Sequence, residues 1–202
     1  DCPYLLEARQ HERPAAPDPE ALPHRDVEVT ESFVNRNAAL LMPQVFPEPR
    51  LEFEHLQGQA TWSASGGRRE LRMKHVEFAN RDAAGTASGS YAWRHGELGD
   101  IDVVARLSRA ETGAVWRYLP HVIMPDVRAW LKAALVGGRA DEAKLRLKGP
   151  LKDFPFADPN QGVFQVTGRF GGATLRYAPD WPPIENVGGE LLFEGRRMVI
   201  QA

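Results

Sequence analysis

The chain has 202 residues, with 25 Lys and Arg against 27 Asp and Glu, for a formal net charge of -2. Nucleic-acid binding leaves a basic footprint and none is present, and no dense basic run offers a dock for anionic lipid headgroups. Cys2 is the single cysteine, which excludes a disulfide within the chain, and no run of about 18 apolar residues marks a transmembrane helix.

The first 25 residues carry Pro3, Pro14, Pro17, Pro19 and Pro23 with charges between them. Such a composition buries little and predicts a flexible arm or linker. The opening DCPYLLEARQHERP lacks the basic-then-apolar order of a signal peptide and reads as the internal end of a longer protein. Residues 30–41 place Thr30 as an N-cap and Phe33, Val34, Ala38 and Leu41 at helical spacing; a strand over 26–34 competes with that helix. Pro43, Pro47 and Pro49 then break any regular element.

Strands dominate from residue 51 onward. Residues 51–62 put Leu51 and Phe53 on one phase and Leu56, Ala60 and Trp62 on the other, which predicts a bulge or twist near His55. Residues 70–78 switch in the same way, from Leu71 and Met73 to Val76 and Phe78, and the two slips are read as one paired irregularity. Residues 85–94 and 100–109 form the clearest antiparallel hairpin. Tyr91 and Trp93 fall on one face of its first strand; Ile101, Val103, Ala105 and Leu107 fall on one face of its second.

A helical insertion over 110–136 follows. Residues 110–119 predict a short helix that stops at Pro120. Residues 125–135 predict a stronger one, with Pro125 in the first turn and Gly137 just past the end. Val127, Trp130 and Leu131 form its apolar stripe. Strands resume with Leu145 and Leu147 on one phase, then Phe164 and Val166, then Leu175, and residues 188–202 predict a last hairpin.

No grouping carries obvious chemistry. The six histidines lack the short spacing of a metal cage, although His55 and His75 are candidates to face each other across a hairpin. Asp100 and Asp102 share a strand face, where a solvated face beside Arg106 is the plain reading and a cation site the sharper one. GELGD and GRFGG are turns outside any strand-to-helix phosphate loop, and no nucleophile signature surrounds Ser or Cys. The sequence therefore predicts neither catalytic residues, nor a metal, nor a cofactor. The five tryptophans are read as sheet core, and the aromatic turns DFPF and YAPDWPP as clamps against the sheet.

The ordered segments FANRDAAGTASGSY, GDIDVVARLSRA, RYLPHVIMPDVRAWL, KGPLKDFPF and YAPDWPPIENVGGELLFEG are similar to the central region of the YhdP family, large AsmA-like proteins of Gram-negative envelopes. The resemblance runs over about residues 51–198 and does not extend to the arm. It implies a bridge-type lipid transfer protein: a mostly β segment over 26–202, an antiparallel twisted sheet curled into an open, taco-like groove with one or two short helices packed on it. It further implies phospholipid acyl chains as cargo and neighbouring domains of a full-length protein as partners. The expected setting is the periplasm, in a protein anchored in the inner membrane by residues outside this segment, contributing to the envelope permeability barrier. The family has no catalytic residues to carry over.

Joined to the alternation, the resemblance makes Tyr91, Trp93, Ile101, Val103, Ala105, Leu107, Leu145, Leu147, Phe164, Val166 and Leu175 the candidate groove lining, and Val127, Trp130 and Leu131 a candidate lid. The competing readings are a scaffolding β domain whose apolar face is filled by protein and, third, a carbohydrate-binding sandwich.

Overall fold

The computed structural model describes residues 26–43, 45–121, 123–158, 160–178 and 180–201, so the arm read over residues 1–25 lies outside the described residues. Nine strands account for most of the chain: β1 (Val27–Leu41), β2 (Arg50–Ser65), β3 (Arg68–Ala79), β4 (Ala83–Arg94), β5 (Asp100–Glu111), β6 (Leu135–Pro150), β7 (Val163–Leu175), β8 (Ile184–Glu194) and β9 (Arg197–Gln201). Each strand pairs antiparallel with the next, in sequence order, as one open sheet with β1 and β9 at its edges. The sheet is the expected open, curled groove, with two short helices at one end.

The helix read over residues 30–41 is overturned: this segment is the edge strand β1. Val27, Val29, Thr30 and Val34 are β-branched and suit a pleated surface, and the Thr30 and Thr61 hydroxyls hydrogen-bond across the ladder at 2.8 Å. Asn37 has a φ of 54° and falls in the gap of the β1–β2 ladder, between the Arg36↔His55 and Ala38↔Phe53 pairs. That local break supplies the misleading helical spacing, and it is also where β2 changes phase next to His55.

The phase change in β3 is a separate irregularity. β3 has one residue more than β2 between the pairs Gln57↔Glu77 and Ala60↔Met73, and one more than β4 between Val76↔Ala87 and Met73↔Gly89. Its extra residue therefore lies at Lys74–His75, and β2 makes room with Gly58, where a Cβ would stand 2.5 Å from the His75 carbonyl oxygen. Further bulges fall at β5 against β4, and in the β6–β7 and β7–β8 ladders. Bulges bend their strands and raise the local right-handed twist; repeated across one sheet, they curl it.

The insertion between β5 and β6 is a 3-10 helix, Thr112–Tyr118, and helix α1, Pro125–Ala134. Pro125 opens α1 with its φ already helical and no N–H to leave unpaired. The helix ends earlier than Gly137 because the chain passes straight into β6, where Arg176 N–H donates to the Ala134 carbonyl at 2.9 Å. The two helices pack on each other and on β6, and the 3-10 helix also touches β5.

No large side chain is fully buried among the described residues; the most enclosed apolar ones include Leu51, Leu56, Val76, Ala105, Ala134 and Phe156. A two-layer domain of this length would hide a core of large apolar side chains. The described residues form one layer.

Candidate functional site

The sheet has two chemically different faces, and the pairing register assembles the apolar one. Tyr91 lies opposite Ile101, and Val103 opposite Leu147, which lies opposite Phe164. Ala105, Leu145, Val166 and Phe193 form the next row across four strands. Leu107 pairs with Ala143 and Gly85, while Leu175 pairs with Leu135 and Ile184 near the helical end. Trp93 stacks on Tyr91 with ring centroids 4.9 Å apart. The register links Tyr91, Ile101, Val103, Ala105, Leu107, Leu145, Leu147, Phe164 and Val166 as cross-strand partners or same-phase neighbours, while Leu175 lies beyond register shifts in β7.

Alternation alone left out the continuation through β3, β2 and β1. Leu71 sits opposite Tyr91, Val76 opposite Ala87, Phe78 opposite Leu56, and Trp62 opposite Leu71 and Val29. The bulge at Lys74–His75 hid this row, because it moves the apolar residues from odd to even positions partway along β3. The signal was present as the phase change itself.

The apolar side is screened but unsealed. Ile101, Val103, Leu107, Leu145, Leu147, Phe164 and Val166 are all partly accessible. At one end the β6–β7 connection folds over it: Phe154 packs on Phe164 at 5.0 Å and on Phe156, and Phe164 contacts Phe193. Phe156 is only 4% exposed, so the DFPF turn does clamp the sheet. The YAPDWPP turn at the opposite end does not. Tyr177 and Trp181 are 61% and 66% exposed, and with Trp130 of α1 they form a loose aromatic chain. Of the stripe on α1, Val127 and Trp130 are exposed and Leu131 is half-buried.

The other side of the sheet is polar. Asp102 binds Arg146, with Lys148 Nζ 3.6 Å away, and the Arg146 hydrogen bond holds its carboxyl below the usual carboxylate range. Asp100–Asp102 is thus the solvated strand face of the plain reading. His55 pairs with Ala79, while His75 sits at the β3 bulge, 3.0 Å from Glu77; the two histidines do not face each other. Among the described residues no group of three His, Cys, Asp or Glu side chains converges, and no helix is long and apolar enough to cross a membrane.

One polar cluster does form, at the helical end. Asn80 accepts the N–H groups of Asp82 and Ala83 and donates to Tyr118 Oη at 2.9 Å. Tyr118 and Arg117 both donate to the Asp82 carboxylate at 3.1 Å. Burial pushes the Tyr118 hydroxyl above its ordinary pKa, and the Asp82 charge adds to the effect. These groups wall a cavity of about 570 Å³, completed by Ala38, Ala39, Glu48, Arg50, Leu51, Glu52, Phe53, Glu54 and Arg81 with Asn37.

A single curled meander with one polar side and one unsealed apolar side defines an open β-groove protein. The chain belongs to the YhdP family: that protein family matches it over residues 25–202. It is 29% identical over 147 residues to a curated protein of Escherichia coli strain K12 named intermembrane phospholipid transporter YhdP. That match covers 71% of this chain and 12% of the relative, so the chain spans a small part of that protein's length. No solved structure matches the chain.

Proposed function

We propose that this chain is a stretch of a periplasmic lipid-transfer bridge that carries phospholipid acyl chains along its apolar sheet side between the inner and outer membranes. The observation that carries the reading is the apolar row in register across the sheet, left accessible with no second layer over it among the described residues. Its side chains are Ile101, Val103, Leu145, Leu147, Phe164 and Val166 in the best-formed part. The name of the Escherichia coli relative supports phospholipid as the cargo.

The physical logic needs no chemical step. Each methylene moved into water costs about 0.8 kcal/mol, so a tail of about 16 carbons costs on the order of 13 kcal/mol. An apolar trough removes most of that barrier while the charged headgroup stays wet. Nine strands leave eight gaps of about 4.8 Å, a trough of about 38 Å, comparable to the roughly 30 Å hydrocarbon core of one bilayer. Spanning the space between two membranes requires further segments of the same kind in series. Helix α1 stands beside the middle of this path, over the strand ends at β6, where Val127, Trp130 and Leu131 act as a lid for a passing chain.

Native mass spectrometry of the chain after incubation with phospholipid vesicles tests the reading. Bound phospholipid is the expected result. A chain that stays free of lipid at saturating vesicle concentrations overturns it and leaves a scaffold whose apolar side is filled by other parts of a larger protein.

A further inference from the structure

The helical insertion between β5 and β6 is held by polar contacts more than by burial. Among its described residues, 112–121 and 123–134, only Ala114 and Ala134 are buried, while Val115, Met124, Val127 and Trp130 are exposed. Alanine side chains hide too little apolar surface to fix a segment of this length. The insertion is nevertheless tied together internally. Lys132 Nζ lies 4.0 Å from the centre of the Trp116 ring, which joins helix α1 to the 3-10 helix, and Arg128 donates to the Leu119 carbonyl. Its two ends leave and re-enter the sheet on neighbouring strands, beside the Glu111↔Arg139 pair. There the Thr112 hydroxyl donates to the Gly137 carbonyl at 2.8 Å, and Arg176 N–H donates to the Ala134 carbonyl. Ends that lie together form a hinge line, and the segment beyond them needs a catch.

The β3–β4 turn supplies that catch. Asn80, 6% exposed, accepts the N–H groups of Asp82 and Ala83. Arg109 donates to the Asn80 and Arg81 carbonyls, and Glu111 N–H donates to the Asp82 carbonyl at 2.8 Å. The turn is thereby fixed to the end of β5, and it presents the Asp82 carboxylate, whose side chain is 13% exposed. Arg117 and Tyr118, in the last turn of the 3-10 helix, both donate to that carboxylate, while Tyr118 Oη accepts from Asn80. Hydrogen bonds to an ionised acceptor are about twice as strong as neutral ones. A backbone bond from His121 N–H to the Val45 carbonyl adds a contact with the β1–β2 connection.

We propose that Asp82, Arg117 and Tyr118 form a latch, and that residues 112–134 are a flap that opens as a unit about Thr112 and Ala134 while the sheet stays paired. Segments with little buried apolar surface are the ones that open locally below the free energy of global unfolding. Arg117 and Tyr118 are positioning residues: they act by holding α1 in place. That the open flap admits an acyl chain to the apolar side rests on the function proposed above.

Hydrogen exchange of the whole chain, read by mass spectrometry without lipid, tests the latch. Residues 112–134 are expected to exchange together and ahead of β5, β6 and β7. Tyr118→Phe keeps the ring and removes the hydroxyl, and is expected to speed that exchange about tenfold or more. Phe154→Ala, in the connection at the opposite strand ends, is the control. It weakens the sheet, but a flap that opens from the folded sheet keeps its wild-type exchange rate. An insertion unaffected by Tyr118→Phe, or one accelerated along with the sheet by Phe154→Ala, overturns the latch. Uptake of phospholipid from vesicles is the second readout, and Tyr118→Phe is expected to raise its rate by a similar factor. Faster exchange with unchanged uptake overturns the part of the flap in lipid entry. No uptake by either protein overturns the conduit, and with it that entry role, while the exchange data still decide the latch.

Discussion

At the scale of single residues, the polar side of the sheet is held by ion pairs that are individually weak. Asp102 is the best placed, between Arg146 and Lys148, yet its side chain is 45% exposed. An exposed pair contributes about 0.2–1 kcal/mol, and Asp102→Asn is expected to cost no more than that at neutral pH. The pH dependence has a definite sign. The carboxyl's pKa is lowered in the fold, so the pair's contribution is complete above the unfolded value of about 3.9 and drains away as pH falls through the lower folded value. Urea midpoints of the wild type and Asp102→Asn are therefore expected to differ at pH 7 and converge in the acid range. A gap that persists below the carboxylate range would assign Asp102 a role other than charge pairing.

Elements differ in how firmly they are tied to the sheet, and the aromatic turns show the contrast. The two look alike in sequence, since Pro and aromatic residues recur in both DFPF and YAPDWPP, and composition predicts a clamp for each. Composition carries no information on which loop finds a surface to bury against. The β6–β7 loop does so because Phe154 meets Phe164, which the register places beside Phe193. The β7–β8 loop leaves Tyr177 and Trp181 facing solvent. Phe156→Ala, at a site only 4% exposed, is expected to destabilise by about 3–5 kcal/mol. Trp130→Ala, at 40% exposure with one edge-to-face partner, is expected to cost less than about 1.5 kcal/mol. Chemical denaturation of the two variants measures the difference; a Trp130→Ala loss as large as that of Phe156→Ala would make α1 a permanently packed part of the fold. The same limit explains β1. Its spacing read as helical because Asn37 shifts the phase locally, and only pairing with β2, a contact far along the chain, decides in favour of a strand.

For the molecule as a whole, the period-2 pattern made the sheet and its apolar side legible, because alternation is a local property of each strand. What the pattern could not carry was how that side is covered, since a sandwich core and an open groove alternate identically. Nor could it reveal the charged cavity, whose walls come from β1, β2, the β3–β4 turn and the 3-10 helix, up to 81 positions apart between Asn37 and Tyr118. The distinction between sealed and open is energetic, and Val103 tests it. Val103 stands between Gly89 and Leu147 in the middle of the apolar row and is partly accessible. In a sealed core a carboxylate there would be buried without a partner, costing several kcal/mol. On an open side water still reaches it, and the loss for Val103→Asp is expected to stay near 1–2 kcal/mol, of the order of the strand-propensity range itself. Lipid loading should respond more strongly: a penalty of about 1.4 kcal/mol against hydrocarbon lowers occupancy tenfold. A variant that keeps its cooperative unfolding transition but loses roughly tenfold in bound phospholipid supports the open groove. Global unfolding of Val103→Asp would instead assign that side chain to a closed interior, and the conduit reading would fall with it.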